Sequence, residues 1–166
     1  MAETPSFANP TLRRLATGWR LSGIYRYSTG SYLTVTAGSD RALNGTATNG
    51  QRAVQVLENP FGDDRSGDPR SRYINGAAFA QPALGTLSTL GTSNIEGPGT
   101  WTFDLALSRT FRLFEAHRLE VRAEAFNVPN SFRPENPVTN LNSPRFGLLD
   151  RALDPRILQF ALKYAF

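Results

Sequence analysis

Two stretches that alternate in polarity decide the fold. They are Trp101-Thr102-Phe103-Asp104-Leu105-Ala106-Leu107-Ser108-Arg109 and, after a link of residues 110–117, Arg118-Leu119-Glu120-Val121-Arg122-Ala123-Glu124-Ala125-Phe126. Successive side chains of a β-strand point to opposite faces, so each stretch predicts a strand with one apolar face and one polar or small-residue face. A helix would scatter the apolar residues of the second stretch around its axis. The short link therefore predicts an antiparallel hairpin.

The same alternation extends outward from the hairpin. Residues 19–27 and 157–166 alternate with period two, and residues 32–36 form a short apolar and β-branched run. The links are alternately short and long: 28–31, 37–100, 110–117 and 127–156. Short turns at one rim and long loops at the other are typical of an up-and-down outer-membrane barrel. We therefore predict an all-β chain of antiparallel up-and-down strands that forms a partial outer-membrane β-barrel.

This pattern gives a simple domain organisation. We expect a lead-in loop over residues 1–17 and a C-terminal β-barrel segment over residues 18–166, with long loops at 37–100 and 127–156. The long loops would lie outside the cell. The short turns at 28–31 and 111–116 would face the periplasm.

Composition excludes several classes of protein. The chain has 166 residues, no Cys and one His, so thiolate metal sites and sites that need two imidazoles are ruled out. No run of about 18 apolar residues could form a transmembrane helix. The first five residues predict no signal peptide within this chain. The net charge is +4, but the arginines are dispersed and Lys163 is the sole lysine, which predicts no nucleic-acid partner.

We predict no catalytic, cofactor-binding or metal-binding residue, and no enzymatic activity. His117 precedes the second stretch as a polar turn residue, without a partner for nucleophilic catalysis. Glu120 and Glu124 lie roughly 13 Å apart along a strand, farther than the carboxylates of glycosidases. The acidic residues 63–68 match no EF-hand spacing and indicate a solvated loop.

The polar face of the hairpin is predicted to face the lumen of the barrel. Its charged residues are Asp104, Glu120, Arg122 and Glu124. A one-residue slip would turn every side chain to the other face, so only registers that keep apolar residues together are allowed. In such registers we expect Asp104 to lie opposite Arg122 or Glu124.

From roughly residue 12 to residue 166, the sequence resembles the closing part of TonB-dependent outer-membrane transporters. The closest resemblance is to the Oar-like type with a carboxypeptidase-regulatory-like N-terminal domain. It rests on residues 97–111 (Gly-Pro-Gly-Thr-Trp to Arg-Thr-Phe) and 117–127, on Phe146-Gly147, and on residues 154–166, with residues 18–27 and 73–79 upstream.

The resemblance implies a large barrel with an N-terminal plug, located in the outer membrane of a Gram-negative bacterium. It implies transport or binding of a large nutrient such as a metal chelate, a glycan or a peptide. About five strands cannot span a membrane alone, because unpaired backbone groups are costly in hydrocarbon. We therefore expect the chain to be the tail of a longer protein or a separate fragment. Its sheet edges would pair with the remainder of the barrel or with other copies.

The end of the chain suggests an assembly signal. Aromatic or apolar residues alternate at Phe160, Leu162, Tyr164 and Phe166. This pattern resembles the signal that the barrel-assembly machinery reads by adding an edge strand. A plain amphipathic closing strand is the alternative explanation.

Two other functions stay open from the sequence. The first is a soluble all-β module that binds carbohydrate through the exposed aromatic residues Tyr25, Tyr27 and Tyr73. The second is a small hydrolase, which would need a nucleophile and base that include His117. The sequence shows no such pair.

Overall fold

The computed structural model describes residues 2–3, 11, 16–46, 50–63 and 71–166. Most of the lead-in segment 1–17 and residues 64–68 of the acidic stretch lie outside these residues. Among those described, no helix is long and apolar enough to cross a membrane. The elements are β1 (Ala2–Glu3), β2 (Trp19–Ser28), β3 (Tyr32–Leu33), β4 (Val54–Gln55), a 3₁₀ turn (Gly76–Ala78), β5 (Phe79–Ala80), β6 (Ile95–Glu96), β7 (Thr100–Phe114), β8 (His117–Phe126) and β9 (Ile157–Ala165).

The main element is a five-stranded sheet with the order β1-β2-β7-β8-β9. Strands β7, β8 and β9 pair antiparallel along their lengths, and β1 pairs antiparallel with β2. The all-β antiparallel class is therefore confirmed. Within the described residues the sheet is open rather than closed into a barrel.

The β7–β8 hairpin keeps the predicted faces together. The register runs from Leu105 opposite Ala125 to Arg112 opposite Arg118, and a bulge follows Arg112. Strand β7 extends five residues beyond the predicted end at Arg109, because Phe111 and Leu113 continue the alternation. The turn is correspondingly tighter than predicted, with only residues 115 and 116 between the strands.

The prediction for residues 28–36 was wrong. Residues 32–36 do not join the main sheet, because β3 pairs with β6 in a separate two-stranded ribbon. Residues 28–31 are not a turn between neighbouring strands of the main sheet. A Cβ on Gly30 would lie 1.7 Å from the carbonyl oxygen of Gly97. The backbones of Gly30 and Gly97 are therefore in close contact, and a glycine is required there. Residues 28–31 therefore belong to the long link between β2 and β7.

Residues 28–100 and 132–153 form a compact unit of their own, called here the loop unit. Backbone hydrogen bonds join its two segments, for example from Thr36 to Thr139 (3.0 Å) and from Tyr73 to Gly147 (2.7 Å). The two long links, which the alternation left without regular structure, thus share one apolar core. Its members are Val35, Ala53, Tyr73, Ile74, Ala78, Phe79, Ile95, Phe146 and Leu149.

Candidate functional site

The polar face of the sheet carries paired charges. Arg122 lies 3.0 Å from Glu120 and 3.6 Å from Glu124, measured between nitrogen and oxygen atoms. Across the next strand, Glu120 lies opposite Lys163, and Glu124 lies opposite Gln159. The register therefore brings three of the four predicted polar residues into one row on β8.

The expected pairing of Asp104 was wrong. Ser108 lies opposite Arg122 and Ala106 opposite Glu124, so Asp104 lies farther along the hairpin. Its carboxylate instead accepts hydrogen bonds from the Arg26 side chain (2.7 Å) and from the Asn127 backbone (2.8 Å). The observed register differs by two residues from the pairing with Glu124 and by four from the pairing with Arg122, because β7 continues to Phe114 and the turn therefore comes later in the chain than expected.

Asn127 is a residue that the sequence analysis missed. It is fully buried, has φ of 52°, and its side chain bonds to Ser131 through both its oxygen and its nitrogen. Asparagine tolerates this left-handed conformation better than most residues. It therefore turns the chain at the end of β8 and also supplies the backbone donor for Asp104.

The other face of the sheet is apolar and largely uncovered. Leu107, Ala123 and Phe160 lie side by side on it, and so do Val121 and Leu162. The exposed fraction is 77% for Phe160 and 70% for Leu162. Soluble monomers rarely leave such a contiguous apolar surface open. The sheet is therefore not the core of a self-contained globule.

Aromatic side chains cluster at both ends of the apolar face. Tyr25 and Trp101 contact each other at one end, with ring centroids 6.2 Å apart. At the hairpin end, His117 stacks on Tyr164 and meets Phe114 edge to face. A row of aromatic residues at each end of the strands is typical of the two interfaces of a membrane barrel.

His117 is the first residue of β8 rather than a turn residue. Its Nδ1 lies 2.6 Å from the Tyr164 hydroxyl, so the two groups share a hydrogen bond. Among the described residues, its ring contacts are the aromatic rings of Phe114 and Tyr164. This arrangement places His117 in the aromatic cluster.

Arg109 is the one basic residue in the middle of β7 on the apolar face. Its guanidinium lies 4.5 Å from the centroid of the Phe111 ring and 5.5 Å from that of Trp19. Cation–π contact and a long aliphatic stem let an arginine occupy an apolar surface near an interface. Arg109 therefore packs against aromatic rings at the hairpin end of the sheet, beside an open cleft that it also lines.

A cluster of arginines lies on the polar face near the β7–β8 turn. Arg20, Arg112 and Arg118 line one open cleft there, together with Ser108 and Thr110. The sequence analysis missed this cluster because it ended the first strand at Arg109. Regular pairing outward from the two-residue turn would place Leu113 opposite Arg118. The bulge after Arg112 brings Arg112 to that position, so the alternation alone would not have found this pair.

Tyr73 was predicted as an exposed binding residue and is in fact buried. It is 2% exposed within the loop unit, and its hydroxyl donates a hydrogen bond to the Glu96 carbonyl (3.0 Å). Tyr25 and Tyr27, by contrast, are exposed on β2. The three tyrosines do not form one binding surface, because Tyr73 serves the core of the loop unit.

Asp40 organises a tight turn in the loop unit. Its carboxylate accepts hydrogen bonds from the backbone of Asn44 and Gly45 and from the Gln51 side chain. Burial by itself would raise the pKa of Asp40, but these hydrogen bonds outweigh it and hold the pKa below the usual value of 3.8. Gln51 is itself buried and also bonds the Ala42 backbone, so the turn depends on one carboxylate and one amide.

This turn should loosen in acid. A carboxyl whose pKa is lowered by folding adds stability above its usual value and loses it as pH falls through the lowered pKa. We expect constant protection of the Gly45 amide from pH 7 down to about 3.8, and falling protection below it, in hydrogen-exchange rates corrected for intrinsic pH dependence. Asp40→Asn should give lower protection that does not change with pH. A variant with wild-type protection would contradict this role of Asp40.

No group of three or more His, Asp or Glu side chains in the described part of the chain could hold a metal ion. Most of the acidic stretch 63–68 lies outside that part. The sheet thus has one largely uncovered apolar face and one face with paired charges.

Comparison with known families agrees with this geometry. Residues 2–159 match the family model of the outer membrane beta barrel domain. The chain belongs to this family. No curated protein and no solved structure matches the chain.

This outer membrane beta barrel protein is located in the outer membrane, as the sequence predicted. The location favours a membrane role for the uncovered apolar face over the soluble carbohydrate-binding module. The match covers β1, β2, β7 and β8 and the start of β9. It therefore includes the whole loop unit as well as most of the sheet.

Proposed function

We propose that the chain is the C-terminal part of a TonB-dependent receptor of the Oar-like type, which binds and transports a large nutrient. The observation that carries the proposal is the loop unit: two long links between strands that fold onto one apolar core. An ordered unit of this size is suited to meet a ligand such as a metal chelate, a glycan or a peptide. Long, structured loops on a rigid scaffold are a common location for binding.

In this proposal the two faces of the sheet have different surroundings. The apolar face, with Leu107, Val121 and Phe160, contacts lipid, because an exposed apolar band is what a membrane barrel presents outward. Asp104, Glu120, Arg122 and Glu124 then face the lumen. All four are paired, Asp104 with Arg26 and Arg122 with Glu120 and Glu124, and this supports the assignment because charges inside a barrel are retained when they are paired.

The sidedness follows from the lengths of the links. The chain leaves the sheet after Ser28 and Phe126 and returns at Thr100 and Ile157, so both long links depart from one end. The opposite end carries the two-residue turn between β7 and β8. Since periplasmic turns are short and extracellular loops long, the loop unit lies outside the cell.

We propose that the barrel-assembly machinery recognises strand β9. In the described sheet β9 pairs with β8 alone and leaves its other backbone edge open. Phe160, Leu162 and Tyr164 alternate on its apolar face, and Phe166 follows them. This edge supports pairing with the barrel-assembly machinery and then with the remainder of the barrel, or with another copy.

Uptake by intact cells tests the receptor function. Cells with and without the gene are given a panel of ferric chelates, oligosaccharides and peptides, with and without a protonophore. The proposal predicts that uptake of one class is lost on deletion and also on collapse of the proton gradient. Uptake that needs the gene but continues under the protonophore would indicate a passive channel and contradict the TonB-dependent mechanism.

A further inference from the structure

The arginine cleft on the polar face has the features of an anion site. It is open, has a volume of about 530 Å³, and is lined by Arg20, Arg109, Arg112 and Arg118 together with Gly18, Ser108 and Thr110. Its residues come from β2, β7 and β8, so three neighbouring strands fix their spacing. The bulge that follows Arg112 adds a local distortion, and such bulges often occur beside functional sites and at barrel rims.

Two like charges face each other in this cleft. Arg112 and Arg118 are direct cross-strand partners, which places their Cβ atoms roughly 5 Å apart. Like charges in this position destabilise a strand pair. No acceptor in the described part of the chain lies within hydrogen-bond or ion-pair distance of either guanidinium. Glu120, which is the nearest carboxylate along β8, is bonded to Arg122 instead.

We propose that Arg112 and Arg118 bind a doubly charged oxyanion of the phosphate class. Each guanidinium presents a planar fork of donors that fits a phosphate with two hydrogen bonds. A dianion would balance the two positive charges and remove their repulsion. The hydroxyls of Ser108 and Thr110 lie along the same face and supply further donors. The proposal does not depend on the receptor function.

Binding of inorganic phosphate to the full-length protein in detergent, measured by calorimetry at low ionic strength, tests this site. We expect saturable binding, weakened at least tenfold in the double variant Arg112→Gln/Arg118→Gln. Arg122→Gln is the matched control on the same face, because Arg122 is already paired with carboxylates, and it should bind phosphate normally. Absence of saturable binding in the parent protein, or equal binding by the double variant, would overturn the proposal.

A second variant distinguishes loss of the anion site from loss of folding. Arg118→Glu should form an attractive cross-strand pair with Arg112, so the hairpin is retained while the anion site is lost. If this variant keeps its β-sheet circular dichroism and still binds phosphate, the site is wrong. A parallel titration with glycerol phosphate separates the two sources of the ligand. Equal affinity would show that the site also takes phosphate monoesters, whereas binding of inorganic phosphate alone would restrict it to the free ion.

Discussion

Leu107→Arg is expected to lower the amount of protein in the outer membrane at least tenfold. Leu107 lies in the middle of β7, on the apolar face and between Ala123 of β8 and the strand β2. An arginine near the middle of the lipid-facing surface of a barrel costs about 2–4 kcal/mol. Quantitative immunoblotting of purified outer membranes, normalised to synthesis, measures the effect.

Ala106→Arg is the matched control for this substitution. Ala106 is the preceding residue of β7, points to the polar face, and lies opposite Glu124. An arginine there gains an acidic cross-strand neighbour and stays away from lipid. Its outer-membrane level should remain within about twofold of wild type. Equal loss in both variants would mean that the two faces of β7 do not differ in their surroundings.

The loop unit should unfold in Gly147→Val. Gly147 has φ of 78°, and a Cβ there would lie 2.2 Å from the carbonyl oxygen of Ile74. Its own nitrogen and oxygen bond to Val138 and Tyr73, so the backbone has little freedom to move. Strain together with a backbone clash should cost more than about 3 kcal/mol. We expect trypsin to cleave the loop unit at least tenfold faster than in wild type.

Gly85→Val is the matched control, because it introduces the same backbone strain without the steric clash. Gly85 has a similar φ of 75°, but a Cβ there meets no atom within 4 Å. This variant carries only the conformational cost, about 1–2 kcal/mol. It should be cleaved more slowly by trypsin than Gly147→Val. Equal rates would show that the contact between Gly147 and Ile74 does not hold the loop unit together.

The main sheet could be predicted from the sequence because the alternation that identifies each strand lies within that strand. Alternation with period two fixed β2, β8 and β9 to within a residue at each end. It also limited the register, because a slip by one residue between β8 and β9 would put Val121 and Leu162 on opposite faces of the sheet. The remaining choice, between registers two or four residues apart, depends on where the turn lies along the chain. In the observed register Asp104 lies beyond both Arg122 and Glu124 of β8, and it pairs with Arg26 of β2 instead.

The loop unit could not be predicted in the same way. Its strands are two residues long, so no alternation has room to appear. Its core joins residues far apart in the chain, such as Val35, Ile74 and Phe146. Contacts of this kind follow from tertiary packing and leave no periodic pattern in the sequence. Tyr73 was therefore expected at the surface and is found in the core.

We expect one face of this sheet to contact lipid and the other to face the barrel interior. Single cysteines at positions 158–163 of β9, placed in full-length protein in which any other cysteine has been replaced, can each carry one spin label in lipid vesicles. Collision rates with oxygen, which concentrates in lipid, and with a water-soluble nickel chelate are then measured at each position. We predict high oxygen collision rates at Leu158, Phe160 and Leu162, and high nickel rates at Gln159, Ala161 and Lys163. Rates that do not alternate along β9 would contradict the claim.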